Sequence, residues 1–238
     1  MTNYSNALVG YTGYVGSNIL EQESFSFLYN SKNIYQINDK NFDFIICSGA
    51  PGIKWKANKD ADADYRTVKI LIDCLSTVKT KKIVLISTID VYNKVDRVNE
   101  NSPIDKNKLN PYGKHRRILE EFISENFDSI IIRLPGLFSK KMSSGILYDF
   151  ISKNHKFLPT EGKVQLYNLD NLWEDIQIAV NNDLKEINFA IEPIRIKELA
   201  KLFNYQYKKN AGFPEPHYDM QTIHSQAWGK VGPYLYSR

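Results

Sequence analysis

The sequence predicts a doubly wound α/β fold: a parallel sheet with helices on both faces, followed by a small C-terminal lobe. Three features lead there. Short unbroken apolar runs recur along the chain, as expected of strands buried on both faces. Segments with apolar residues at helical spacing lie between them, and this alternation builds parallel sheets with right-handed crossovers. A glycine-rich turn joins the first run to the first helix.

In chain order, Ala7-Leu8-Val9 is the first strand and Ser17-Asn18-Ile19-Leu20 begins the first helix. Phe25 to Tyr29 is a weaker strand. The stretch from Asn30 to Asp43 holds one helix, with Ser31 as its cap, but no further strand, so the sheet is expected to be trimmed here. Phe44-Ile45-Ile46-Cys47 is the next strand. Tyr65 to Thr77 places Val68, Leu71, Ile72 and Leu75 on one helical stripe. Ile83-Val84-Leu85-Ile86 is a strong strand, and Tyr112 to Ser124 is a helix carrying Ile118, Leu119, Phe122 and Ile123 inward. Ile130-Ile131-Ile132 follows as a strand. After Leu134 the pattern is mixed: Gly145 to Lys153, Leu172 to Asn181 and Lys197 to Phe203 read as helices, and Ile187 to Ile191 as a late strand. The tail from Lys208, with Pro214, Pro216 and Pro233, reads as irregular.

Composition narrows the function. The 238 residues hold 42% hydrophobic and 24% charged side chains, an ordinary globular balance. No apolar run approaches the roughly 18 residues of a membrane span, and Met1 to Asn6 lacks the build of a signal peptide. Two cysteines, Cys47 and Cys74, make neither a disulfide framework nor, alone, a zinc site, which predicts a cytoplasmic setting. The net charge of +4 is dispersed among acidic residues, so no nucleic-acid partner is expected, and it suits an anionic small substrate.

Gly10-Tyr11-Thr12-Gly13-Tyr14-Val15-Gly16 follows a strand and opens a helix. Glycines there permit a tight turn and close backbone approach, and a pyrophosphate can rest on the helix N-terminus. The chain is therefore expected to bind a dinucleotide, with residues 1–140 as the binding domain and 141–238 as a small substrate lobe whose late strand returns to the sheet. Candidate cofactor contacts in the turn are Gly10, Thr12, Gly13, Tyr14, Val15 and Gly16. The second strand ends in Asn30-Ser31-Lys32 with no carboxylate for the adenosine ribose, and Lys32 can meet a 2′-phosphate. The cofactor is thus read as NAD(P), leaning to NADP.

Three more motifs follow in order: Ser87-Thr88-Ile89-Asp90-Val91-Tyr92 at the end of a strand, Asn110-Pro111-Tyr112-Gly113-Lys114-His115-Arg116 at the start of a helix, and Arg133-Leu134-Pro135-Gly136-Leu137-Phe138. With the glycine turn, they make the chain resemble the extended short-chain dehydrogenase/reductase family of nucleotide-sugar epimerases, dehydratases and ketoreductases. The resemblance takes in Tyr167 to Leu172 and Ile187 to Ala200, and runs from about residue 6 to about residue 203. It implies Thr88 as the catalytic hydroxyl and Tyr112 as the general acid/base. The family's lysine, four residues after the tyrosine, is Arg116 here. It further implies cofactor contacts from Ser48, Gly49, Ser87, Tyr112, Arg116, Pro135 and Leu137, and no metal.

The departure can be weighed chemically. A phenol has a reference pKa near 10, and a fixed cation nearby stabilises its anion. Residues four apart share a helix face, so Arg116 can hold its charge beside Tyr112, whereas Lys114, two residues on, cannot. Arginine does not release a proton in the working range. A proton relay through this position is therefore in question, while electrostatic activation is not. Elsewhere, His115 is expected to face solvent, Cys47 to be a small core residue, and Trp55 and Trp173 to pack in the core. Lys54, Lys56 and Lys59, with Trp55 between, resemble a small nucleic-acid patch, and a loop over a diphosphate explains them as well; one loop is not a basic stripe. His155, His217 and His224 show no metal spacing.

The resemblance implies hydride transfer at a sugar carbon, with substrate bound where the lobe faces the carboxyl ends of the strands. The dehydratases carry two acidic residues after the catalytic hydroxyl. Here those positions are Ile89 and Asp90, which disfavours that reaction. A keto-sugar reductase acting on a nucleotide-linked sugar ranks first and a nucleotide-sugar epimerase second. A non-catalytic dinucleotide-sensing protein is the alternative of a different class, and a homodimer is left open.

Overall fold

The computed structural model describes residues 5–153, 161–205 and 215–237. His155, Lys208 and Pro214 lie outside the described residues. The chain forms two compact units. The first comprises Met1–Asn93, Pro103–Arg133 and Asp170–Ile187, and the second Lys94–Ser102, Leu134–Leu169 and Asn188–Arg238.

Apolar runs become strands in the first unit because only a central position in a sheet hides both of their faces. They are β1 (Asn6–Val9), β2 (Phe27–Tyr29), β3 (Asn41–Cys47), β4 (Lys79–Thr88), β6 (Ser129–Leu134) and β10 (Glu186–Asn188), with β5 and β7–β9 belonging to the second unit. They form one six-stranded parallel sheet in the order β10-β6-β4-β3-β1-β2. Helices α1 (Tyr14–Gln22), α2 (Lys54–Lys59), α3 (Ala61–Leu75), α4 (Pro111–Asn126) and α6 (Leu172–Asn181) connect them. One core cluster joins Val9, Ile45 and Cys47 to Val68, Leu71 and Leu75 of α3 and to Leu119 and Ile123 of α4. The doubly wound fold expected from the sequence is the one observed.

Two local expectations are corrected. Between β2 and β3 there is no α-helix but a 3-10 turn, Ile34–Ile37, that buries Ile34 and Ile37. Ser31 does not cap it; Asn33 Oδ1 accepts from the Asn30 amide at 2.7 Å and Asn30 Oδ1 from that of Lys32 at 2.9 Å. Asparagine side chains thus close the turn locally, which leaves no room for a longer helix. The lysine-bearing segment read as a loop is the short helix α2. The extra strand and helix excluded by length are absent among the described residues. As a result β2 and β3 lie on opposite sides of β1, and the chain reverses direction across the sheet at the carboxyl ends of β1 and β3. Such a switch point is where doubly wound sheets bind ligands.

In the second unit, β5 (Asp96–Val98) pairs in parallel with β12 (Asp219–Met220), and β7 (Gly136–Phe138) with β9 (Leu166–Asn168). Strands β8 (Lys163–Val164) and β11 (Ile194–Arg195) pair antiparallel. Helices α5 (Ile146–Ile151) and α7 (Ile196–Leu202) pack Phe150, Ile196, Leu199 and Ala200 around Val164. The described part of the tail is more ordered than its prolines suggest. Buried Gln165 donates to the carbonyls of Ile191 and Met220 at 2.6 and 2.7 Å and accepts from the Met220 amide at 2.7 Å, which ties β12 into the unit. Among the described residues no helix is long and apolar enough to cross a membrane.

Cys47 is fully buried in the first unit's core, as its apolar strand implied. Burial pushes its thiol up to about 11. Its reactive thiolate is therefore suppressed. At pH 8 the native protein is expected to leave Cys47 unalkylated by iodoacetamide until it is unfolded, as mass spectrometry of the peptide would read. Because the thiol's affinity for its proton is higher folded than unfolded, this site's contribution to stability is intact at neutral pH and is lost as pH rises from about 9 towards 11. Rapid native labelling would contradict the packing.

Candidate active site

The glycine turn lies at the switch point. Gly10 adopts φ +88°, a conformation that disfavours side chains, and a Cβ there would stand 2.4 Å from the Ser48 carbonyl oxygen after β3. A Cβ on Gly16 would stand 2.2 Å from the Gly10 carbonyl oxygen. Both glycines are demanded by the fold itself. Gly13 is different. Its backbone (φ −75°, ψ 169°) is open to any residue, and a Cβ would meet only the Gly10 carbonyl oxygen, at 3.3 Å. The missing side chain leaves space above the N-terminus of α1, which no side chain caps. Thr12 is exposed, Val15 half-buried, and the Tyr14 hydroxyl is buried without a hydrogen bond among the described residues. An open cradle over uncapped helix amides fits a pyrophosphate.

Ser48 closes the other side, donating its hydroxyl to the Val9 carbonyl at 3.0 Å, and Gly49 packs against Val9 and Leu71. At the end of β2, Lys32 is exposed and Asn30 is engaged in its own turn. Residues 30–32, which follow this strand, include no carboxylate.

Thr88 ends β4, and its hydroxyl accepts from the Asp90 amide at 3.2 Å, starting a 3-10 turn over Ile89–Val91. Pro111 opens α4, and Asn110 caps it by accepting from the Gly113 amide at 3.0 Å. The helix and turn meet closely: a Cβ on Gly113 would be 2.1 Å from the Asp90 carbonyl oxygen. Glycine after Tyr112 is thus what lets the tyrosine reach the end of β4. The Tyr112 side chain is buried and hydrogen-bonded to that of Thr88. Burial raises its phenol above the ordinary value, Asp90 adds to this, and Arg116, the Thr88 hydrogen bond and Lys54 oppose it.

Arg116 stands where four-residue spacing puts it, its guanidinium carbon 4.0 Å from the centre of the Tyr112 ring. It is not a free cation. Asp64 of α3 grips it with both carboxylate oxygens, at 2.5 and 2.9 Å; it also donates to the Pro51 carbonyl and, at 3.2 Å, to that of Tyr112. Among the described residues its Nε is buried without a hydrogen bond. The expectation for His115 is corrected. It is buried, with Nδ1 2.7 Å from the same Asp64 carboxylate, because α4 turns this face towards α3. The exposed position on this turn belongs to Lys114. Trp55 is also corrected: it is 70% exposed on α2, while Trp173 is half-buried against Phe25.

Thr88, Tyr112 and Arg116 therefore come together in the first unit, near the strand ends that carry the glycine turn. Ser87 points elsewhere: its hydroxyl donates at 2.5 Å to Glu120, which pairs with buried Arg133. Pro135 and Leu137 belong to the second unit. Sequence reasoning missed Asp64 and Asn58, and gave Lys54 a different role. Asn58 Oδ1 accepts from the Tyr112 amide at 3.0 Å, and Lys54 Nζ lies 2.5 Å from Asp90 Oδ1. One signal was available, since an arginine buried at a motif's lysine position requires a buried counter-charge.

No protein-family model and no curated protein matches the chain. Solved structures do, at low identity. A hypothetical dTDP-4-dehydrorhamnose reductase from Sulfolobus tokodaii matches with a TM-score of 0.72 at 18% identity, over 98% of this chain and 97% of that one. The dTDP-4-dehydrorhamnose reductase of Bacillus anthracis, in complex with NADP, matches with a TM-score of 0.72 at 16% identity, over 96% and 93%. The UDP-glucose 4-epimerase of Thermotoga maritima, with UDP-glucose, matches with a TM-score of 0.71 at 14% identity, over 96% and 93%. The fold is thus that of these nucleotide-sugar enzymes across nearly the whole chain.

Proposed function

We propose that the protein is an NAD(P)-dependent oxidoreductase that reduces the keto group of a nucleotide-linked sugar. The observation that carries this is the buried Tyr112 phenol, hydrogen-bonded to Thr88 and raised above its ordinary value. A phenol that keeps its proton at neutral pH suits the donor role that reduction needs. The solved structures of like fold, two of them reductases of keto-sugar nucleotides by name, support the same class.

The glycine turn, with Ser48 and Gly49, would hold the dinucleotide, and Lys32 favours NADP by offering a cation where NAD would be met by a carboxylate. Once bound, the nicotinamide supplies the hydride. Tyr112 gives the proton on its Oη to the sugar oxygen, Thr88 fixes the direction of that hydroxyl, and Arg116 stabilises the resulting phenolate through the ring face. Asp90 is paired with Lys54 and has no acidic neighbour at Ile89, which weighs against a dehydratase. Epimerisation is second, since it must first take a proton from the sugar. A small-molecule partner in a cytoplasmic setting belongs to this reading; a homodimer does not follow from it and would be read by light scattering.

A second reading, a dinucleotide-sensing protein without turnover, draws on the engagement of Arg116 by Asp64. Oxidation of NADPH, followed at 340 nm against a panel of nucleotide-linked keto-sugars, separates the two. Tight NADPH binding with no consumption for any sugar would favour the sensor. The cofactor half of the proposal has its own test. Gly13→Ala needs the Gly10 carbonyl to give by only a few tenths of an ångström, yet its methyl enters the cradle. The variant is expected to melt like the parent and to lose at least about tenfold in NADPH affinity by fluorescence titration, about 1.4 kcal/mol. Parental affinity would remove the glycine turn from the cofactor site.

A further inference from the structure

Helix α2 has no part in the motifs that carry the family resemblance, yet it is fastened to the acid/base site at two points. Lys54 and Asn58, four residues apart, share one face of it. Asn58 accepts the Tyr112 amide hydrogen at 3.0 Å, and Lys54 pairs with Asp90 at 2.5 Å. Asp90 is two residues beyond Thr88, and its carbonyl is where Gly113 makes its close approach. The charged groups around Tyr112 are therefore Arg116 of α4, Asp90 of the turn and Lys54 of α2. Asp64 and His115 stand behind Arg116.

These cations differ in kind. The Arg116 side chain is 4% exposed and clamped by Asp64, which makes it a fixed element of the site. The Lys54 side chain is 41% exposed on a flexible stem, so it can respond to solvent and to a bound anion. We propose that Lys54 is a positioning residue of the acid/base site: the adjustable cation which, held by Asp90, sets how readily Tyr112 Oη gives up its proton. Arg116 supplies the fixed part of the field and the Lys54–Asp90 pair the variable part. The motif's single lysine is thus replaced by two cations on different helices. The inference rests on Tyr112 being the proton donor.

The test reads Tyr112 directly, without substrate or turnover. Tyrosine labelled with ¹³C at Cζ is titrated by NMR in the full chain, and the Tyr112 signal is identified by its loss in Tyr112→Phe. Lys54→Met is expected to move the Tyr112 titration up in pH, and Asp90→Asn to move it down. Lys54→Arg restores the cation and should return the titration to the parental position. Opposite displacements are the signature of charge, because mere loosening of the turn would move both variants the same way. A Tyr112 titration unchanged in Lys54→Met, or displaced in one direction by both neutralising variants, overturns the proposal. Failure of the enzyme reading would appear separately, as a parent that consumes no NADPH while these displacements persist.

Discussion

Tyr112→Phe is expected to lower turnover of a nucleotide-linked keto-sugar by about 10²–10⁴-fold, the usual contribution of a positioned acid or base, with NADPH affinity unchanged. In the proposed reduction the phenol carries the transferred proton, and phenylalanine fills nearly the same volume without it. The loss should fall on kcat, because the proton moves in the transition state rather than on binding. Folding should survive: the substitution removes one hydroxyl, and the Thr88 hydroxyl still accepts from the Asp90 amide. The parent's pH dependence follows from the same residue. Burial holds the Tyr112 proton above the ordinary phenol range, so the donor form persists through neutrality, and the rate should fall only at pH beyond that ordinary range. A Phe variant retaining more than half of the parental rate, with the chemical step limiting, would mean that another group delivers the proton.

The parts of this site legible in the sequence were those with local causes. The glycine turn could be read because strand, turn and helix are contiguous, and Arg116 beside Tyr112 because helical spacing fixes it. The trimmed sheet was legible from chain length alone, since the stretch from Asn30 to Asp43 cannot hold a further strand and helix. What could not be read depends on contacts distant in the chain. Asp64 meets Arg116 across 52 positions and Asn58 meets Tyr112 across 54, and no periodicity announces such a pairing. His115 was misjudged for the same reason: flanking charges suggested solvent, but an acidic residue on another helix gave it a buried partner. The distinction among the glycines also needed the structure. Gly10 and Gly16 are required by backbone packing, whereas Gly13 is not, and its open side is what the proposed cofactor site draws on.

Asp64→Ala is expected to destabilise the fold by about 3–5 kcal/mol, the range for removing one partner of a buried ion pair. For a chain of this size that is a fall in melting temperature on the order of 10 °C. The cause is the charge left behind. Arg116 is 3% exposed and, without the carboxylate, keeps among the described residues the carbonyls of Pro51 and Tyr112 as acceptors. Arg116→Ala should cost less, because the remaining carboxylate still has His115 Nδ1 at 2.7 Å. Arg116→Lys restores a cation, but a lysine cannot reproduce the fork that meets both oxygens of Asp64 and the Pro51 carbonyl. It is expected to lose stability too, even though the family resemblance makes lysine the ordinary residue here. That ordering separates a site built around arginine from one that merely tolerates it. In a site built around arginine, Asp64 and Arg116 stand or fall together, and the double variant Asp64→Ala/Arg116→Ala recovers part of the loss of Asp64→Ala. Urea denaturation of the four variants reads it. If Arg116→Lys proved as stable as the parent and Asp64→Ala lost less than about 1 kcal/mol, the value of a solvated surface pair, the clamp on Arg116 would not exist in solution. Arg116 would then be free to turn towards a bound ribose, as a lysine at this position would.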